Sequence, residues 1–216
     1  MDPIDAFLTL ADSAVGLLDD PAVERSWNLP SALAEFSVSG LATHLAFQIT
    51  RVPGVLLAAP PAPPGSSGPP IPLEEHYSRS PWVDTGVDSD VNRNIRSAAQ
   101  EKADDGVDAV RRTTASALAE IRLILPGEPP DRPVFLPWTG WSLTLSDYLR
   151  TRALELLVHS DDLAISVGIE TPEVPPEAAR NVINTLLTLS VRKHGVTAVL
   201  RTLSRRERAP RTIAAI

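Results

Sequence analysis

The chain has 216 residues, 43% of them hydrophobic and 22% charged, with a formal net charge of −7. This composition suits a globular protein with one well-buried core, and its acidity excludes non-specific nucleic-acid binding as the main activity, because phosphate contacts need a basic surface. The absence of cysteine rules out disulfides, thiolate nucleophiles and cysteine-ligated zinc, so any catalytic thiol has to come from a partner or cofactor.

The opening Met1-Asp2-Pro3 carries no basic n-region, and no stretch is apolar for long enough to span a bilayer. A cytoplasmic protein is expected. Asp2-Pro3 is a helix start, and Ile4, Phe7, Leu8, Ala11, Ala14, Val15 and Leu18 predict an amphipathic helix over 3–19, ended by Asp19-Asp20-Pro21. Residues 21–36 read as a connector carrying Trp27 and Pro30. Ser37 or Ser39 opens a second helix through Leu41, Leu45, Ile49 and Val52, stopping near Pro53-Gly54. His44 lies in its middle, where a lone histidine is more often a satisfied core or surface residue than a ligand.

Residues 58–72 are a proline-rich surface loop with a Gly-Ser-Ser-Gly centre, or a polyproline ligand for a partner. His76, beside Glu74 and Glu75, is by default a surface histidine. A weaker helical stretch starts at Asp88-Ser89-Asp90, and Asp104-Asp105-Gly106 interrupts it and supplies a fresh cap. The next helix runs from Val107 to Leu125 and stops at Pro126-Gly127. Val134-Phe135-Leu136 and Trp141-Ser142-Leu143 could pair as two short strands around Trp138-Thr139-Gly140. Thr144 or Ser146 then caps a helix reaching about Val167, before Gly168, and Pro175-Pro176-Glu177 starts a last one through Leu203. The expected fold is all-α. It is an up-down four-helix bundle with an extra C-terminal helix and a short β-hairpin near 133–143. Residues 1–170 form the bundle, and 171–216 a helix and tail packed on the same domain.

On the helix before Gly168, Arg152, Glu155, His159 and Asp162 recur at three- and four-residue spacing and so make one charged stripe between apolar flanks. The stripe is either the helix's solvated face, with ordinary surface pairs, or an inward face that needs a metal or a paired cation. With His44 added, two imidazoles and one carboxylate form a standard metal-activating set. Spacing alone does not pair His44 with Glu155. Their convergence is an inference from the bundle.

Ser26-Trp27-Asn28-Leu29-Pro30-Ser31, followed by Phe36-Ser37-Val38-Ser39-Gly40-Leu41-Ala42-Thr43-His44-Leu45-Ala46, resembles the opening of the mycothiol-dependent maleylpyruvate isomerase family, part of the DinB-like metal-binding bundle superfamily. Asp147-Tyr148-Leu149-Arg150-Thr151-Arg152 with Glu155, His159, Asp161, Asp162 and Leu163 resembles that family's second metal-ligand helix, and Arg205-Arg206-Glu207-Arg208-Ala209-Pro210 its tail. The resemblance implies a divalent metal held by His44, Glu155 and His159, zinc first, with nickel, iron or manganese as alternatives. It implies mycothiol or a similar small thiol as cofactor, and a metal-dependent thiol S-transferase or cis-trans isomerase acting on a small electrophile. The family's isomerase carries a separate C-terminal domain where this sequence has one helix, so the thiol chemistry is a firmer expectation than maleylpyruvate itself.

Arg152, one turn before Glu155, is the candidate catalytic residue, orienting Glu155 or meeting an anionic substrate, with a structural ion pair as the plain alternative. Asp162, three residues beyond His159, either holds the outer imidazole N–H from behind or faces solvent. Expected partners are the thiol and the electrophile, with a homodimer as one assembly state, and neither nucleic acid nor membrane. The rival reading keeps the fold, and with it the metal, in a non-catalytic binding or stress-response protein.

Overall fold

The structure is a computed structural model describing residues 1–58, 68–83 and 88–216. Most of the proline-rich segment, residues 59–67, lies outside the described residues.

Helix α1 (Pro3–Leu18) begins where expected: the Asp2 carboxylate accepts the N–H groups of Ile4 and Asp5 at 2.8 and 3.2 Å. Asp20-Pro21 repeats the same device. Asp20 accepts from Ala22 N–H at 2.7 Å and starts a short helix α2 (Pro21–Arg25) inside the expected connector. Ser37 caps α3 (Val38–Thr50), accepting from Gly40 N–H at 3.0 Å. Pro53 does not stop the chain; it sits in the first turn of α4 (Val52–Leu57), where a missing N–H costs nothing.

Short α5 (Leu73–Arg79) precedes α6 (Asp90–Ala103), capped by Ser89, and α7 (Val107–Ile124). The cap of α7 is Gly106, not the aspartates before it. Strands β1 (Pro133–Leu136) and β2 (Trp141–Thr144) pair antiparallel, with Val134 opposite Leu143. Thr144 ends β2 and also caps α8 (Leu145–Val167), accepting from Asp147 N–H at 3.1 Å. The expected last helix is two. Gly195, at φ 82° and ψ 153°, separates α9 (Pro176–His194) from α10 (Val196–Ser204).

The bundle consists of α1, α3, α7 and α8. Helix α8 packs on α1 and α3, and α7 closes the ring against the same two. Phe7, Leu41, Leu45, Ile49, Ile121, Leu149 and Leu154 fill its interior and are fully buried. Outside this ring α6 covers α3, and α9 lies on α1 and α8, adding Ala178, Val182 and Leu189 to the same apolar cluster. The hairpin rests on α4 and α8. Among the described residues no helix is long and apolar enough to cross a membrane.

Candidate metal centre

Two long helices build the site. Helix α3 presents His44 and, one turn on, Gln48, while α8 presents Arg152, Glu155, His159 and Asp162. On other faces of α8, Leu149, Leu154, Leu156 and Leu163 are committed to the core, and that commitment turns the charged stripe toward α3. The stripe is not a solvated face: the side chains of His44, Glu155 and His159 are only 16%, 18% and 15% exposed.

His159 Nε2 lies 3.1 Å from Glu155 Oε2, and His44 Nε2 lies 3.9 Å from the same oxygen. One ligand atom from each of the three residues falls within 4.8 Å of the others. The two imidazoles meet edge to face, with ring centroids 4.8 Å apart. Asp162 takes the outer side of His159, with Oδ2 2.9 Å from Nδ1. The carboxylate thus holds the ring from behind and leaves Nε2 for the site. Among the described residues no group does this for His44, whose Nδ1 is buried without a hydrogen-bond partner there. Phe36 packs on that ring, centroids 5.8 Å apart.

Burial pushes the Glu155 carboxyl up, yet hydrogen bonding to His159 and His44 and the charges of His159 and Arg152 together hold it well below the usual range. Burial also lowers His159, but the hydrogen bonds to Asp162 and Glu155 and their charges raise it to about 9. In His44 burial prevails and the ring is held neutral, lowered further by the charges of His159 and Arg152 against the pull of Glu155. A buried carboxylate between two imidazoles, one of them inclined to be cationic, is a site that favours positive charge at its centre.

Arg152 does not pair with Glu155. Its Nη1 donates to Gln48 Oε1 at 2.5 Å and its Nε to Thr151 Oγ1 at 3.1 Å, and the guanidinium lies 5.6 Å from the Tyr148 ring centroid. Gln48, four residues after His44 on the same face of α3, is therefore part of the site. His76 is a correction: it is 2% exposed, not on the surface. It accepts the indole N–H of Trp141 on Nδ1 at 3.1 Å and stacks edge to face with Trp82 and Tyr77. A histidine that follows two glutamates gives no sign of a partner in a distant strand.

A helical bundle with a His-Glu-His cluster where two of its long helices meet is the DinB-like architecture. The chain belongs to the mycothiol maleylpyruvate isomerase N-terminal domain family, which matches residues 7–164. That span contains His44, Glu155, His159 and Asp162 and ends within α8, before α9 and α10. No curated protein and no solved structure matches the chain.

Proposed function

We propose that His44, Glu155 and His159 hold a divalent metal, and that the protein uses it to add a mycothiol-like thiol to a small electrophile, giving a conjugate or, after rotation and elimination of the thiol, an isomer. The observation that carries this reading is the convergence of three donors from α3 and α8 on one half-buried point, with the outer nitrogen of His159 already occupied by Asp162.

The donor set fits such an ion. Metal–ligand bonds of about 2.1 Å in a tetrahedron put neighbouring ligand atoms about 3.4 Å apart, and the separations from Glu155 Oε2 are 3.1 and 3.9 Å. Three nitrogen and oxygen donors with open positions suit zinc first, and nickel, iron and manganese accept the same set. When bound, the ion would lower the pKa of a coordinated thiol and so supply a sulfur nucleophile near neutral pH. Around it Glu155 contributes the negative charge, Asp162 fixes the His159 ring, and Phe36 covers one side of His44. Arg152, which no ion pair holds among the described residues, remains available for an anionic group on the substrate. A cytoplasmic setting, with no nucleic-acid or membrane partner, belongs to the same reading.

The test is elemental analysis of purified wild type, His44→Ala and His159→Ala, followed by incubation of the metal-loaded protein with mycothiol and a panel of epoxides and haloarenes. Metal lost in both variants, together with metal-dependent conjugate or isomer, supports the enzyme. Metal content unchanged by both substitutions removes the site. Bound metal without turnover across the panel favours a binding protein on the same scaffold.

A further inference from the structure

Gln48 is 3% exposed, a polar side chain in a bundle interior, and it bridges His44 and Arg152. Its Nε2 donates to the backbone carbonyl of His44 at 2.9 Å and lies 3.5 Å from His44 Nε2, while its Oε1 accepts from Arg152 at 2.5 Å. A guanidinium has donors only, so the amide oxygen must face Arg152 and the amide nitrogen must face His44. His44 Nε2 faces both this amide nitrogen and the Glu155 carboxylate, 3.9 Å away, while its Nδ1 has no partner among the described residues, so the amide meets the ring on its inner side.

We infer that Gln48 is a positioning residue for this centre, bracing the inner side of His44 so that Nε2 faces Glu155 and His159, and that Arg152 acts on the centre through Gln48. The two imidazoles are then prepared by different means. Asp162 takes the Nδ1 side of His159, whereas Gln48 works from the Nε2 side of His44. At 3.5 Å the amide–imidazole contact is long for a hydrogen bond, so its role is orientation, and a cation between the ring and Glu155 displaces it. Nε2 of His44 and the Glu155 carboxylate stand 3.9 Å apart, a gap that a cation ligated by both would occupy.

This inference rests on the metal reading above, and the experiment separates the two. Zn²⁺ affinity is measured by chelator competition for wild type, Gln48→Met, Arg152→Met and the double variant, and imidazole ¹⁵N spectra are recorded for the metal-free proteins. Each single substitution is expected to weaken Zn²⁺ binding by about 10- to 100-fold, the range for groups that orient metal ligands. The double variant is expected to be no weaker than Gln48→Met. The His44 ¹⁵N shifts are expected to move in Gln48→Met, while those of His194 on α9 stay. Unchanged affinity, losses that multiply in the double variant, or His44 ¹⁵N shifts unaltered by Gln48→Met would overturn the role of Gln48. If wild type takes up no Zn²⁺, the metal reading fails, and the ¹⁵N spectra alone decide Gln48. Should Gln48→Met not fold, Arg152→Met carries the same expectation from the other end of the chain of contacts.

Discussion

Trp141 donates its indole N–H to Nδ1 of His76 at 3.1 Å. An indole can only donate, so the contact requires a neutral imidazole. Burial, reinforced by the charge of Arg152, pushes His76 from 6.5 down to about 4. A histidine with a depressed folded value contributes stability above its unfolded value, and loses it as pH falls through the folded one. Chemical denaturation at pH 7 and pH 4.5 should therefore show a loss on the order of 2–3 kcal/mol from this group. The variant His76→Gln should show a smaller fall over the same interval. An equal fall in the variant would assign the pH dependence to other groups.

His159 has the opposite sign. Its folded value is raised from 6.5 to about 9 in the metal-free protein, so its contribution is fully present below 6.5 and disappears as pH rises through 9. Metal ligation needs the neutral ring. Zn²⁺ uptake at pH 7.5 should accordingly release about one proton from His159. Titration calorimetry in two buffers of different ionisation enthalpy reads this directly. In Asp162→Ala the buffer dependence should shrink, because the hydrogen bond that first opposes burial is gone.

Gly40 sits where α3 meets α6. A β-carbon built there falls 3.2 Å from Ser37 Oγ, 3.3 Å from Gln100 Oε1 and 3.3 Å from Phe36 Cδ1. Ser37 and Gln100 are joined by a 2.6 Å hydrogen bond, and Phe36 rests on His44. Gly40→Ala should cost about 1–3 kcal/mol, the usual range for overpacking, and should weaken Zn²⁺ binding through the displaced Phe36. Loss of stability with metal affinity unchanged would confine the effect to the α3–α6 contact.

Gly195 takes a backbone conformation, φ 82° and ψ 153°, that side chains strongly disfavour. Gly195→Ala should destabilise by about 1–3 kcal/mol, seen as a lowered melting temperature. Its metal content should match wild type, since α10 does not touch the centre.

What the sequence made legible followed the periodicities it carries. The Glu155–His159 pair and the Asp162 behind it are visible as i, i+3 and i+4 positions on one helix. The approach of His44 was not, because helix-to-helix distance is set by core residues such as Leu45, Ile49 and Leu154 whose partners no local pattern names. Helices α2, α4 and α5 have five to seven residues, too few turns for an apolar stripe to repeat. Asp20-Pro21 did carry a start signal, identical in kind to Asp2-Pro3, but it reads as an end because α1 has just finished there. Pro53 misleads in the same way, since a proline that would break a helix interior is welcome in a first turn. His76 and Gln48 were missed for one shared reason. Their meaning lies in Trp141 and Arg152, far away along the chain, and an isolated polar residue announces no partner.

The double duty of Thr144, final residue of the small sheet and cap of α8, has a mechanical consequence. Strand pairing fixes which residue stands at the helix threshold, and each residue of slippage would turn the whole of α8 by about 100° about its axis. Glu155 and His159 lie about three and four turns further on, and such a rotation would swing them clear of His44. Four paired residues on each strand, remote from any ligand atom, thereby act as the angular index of the centre.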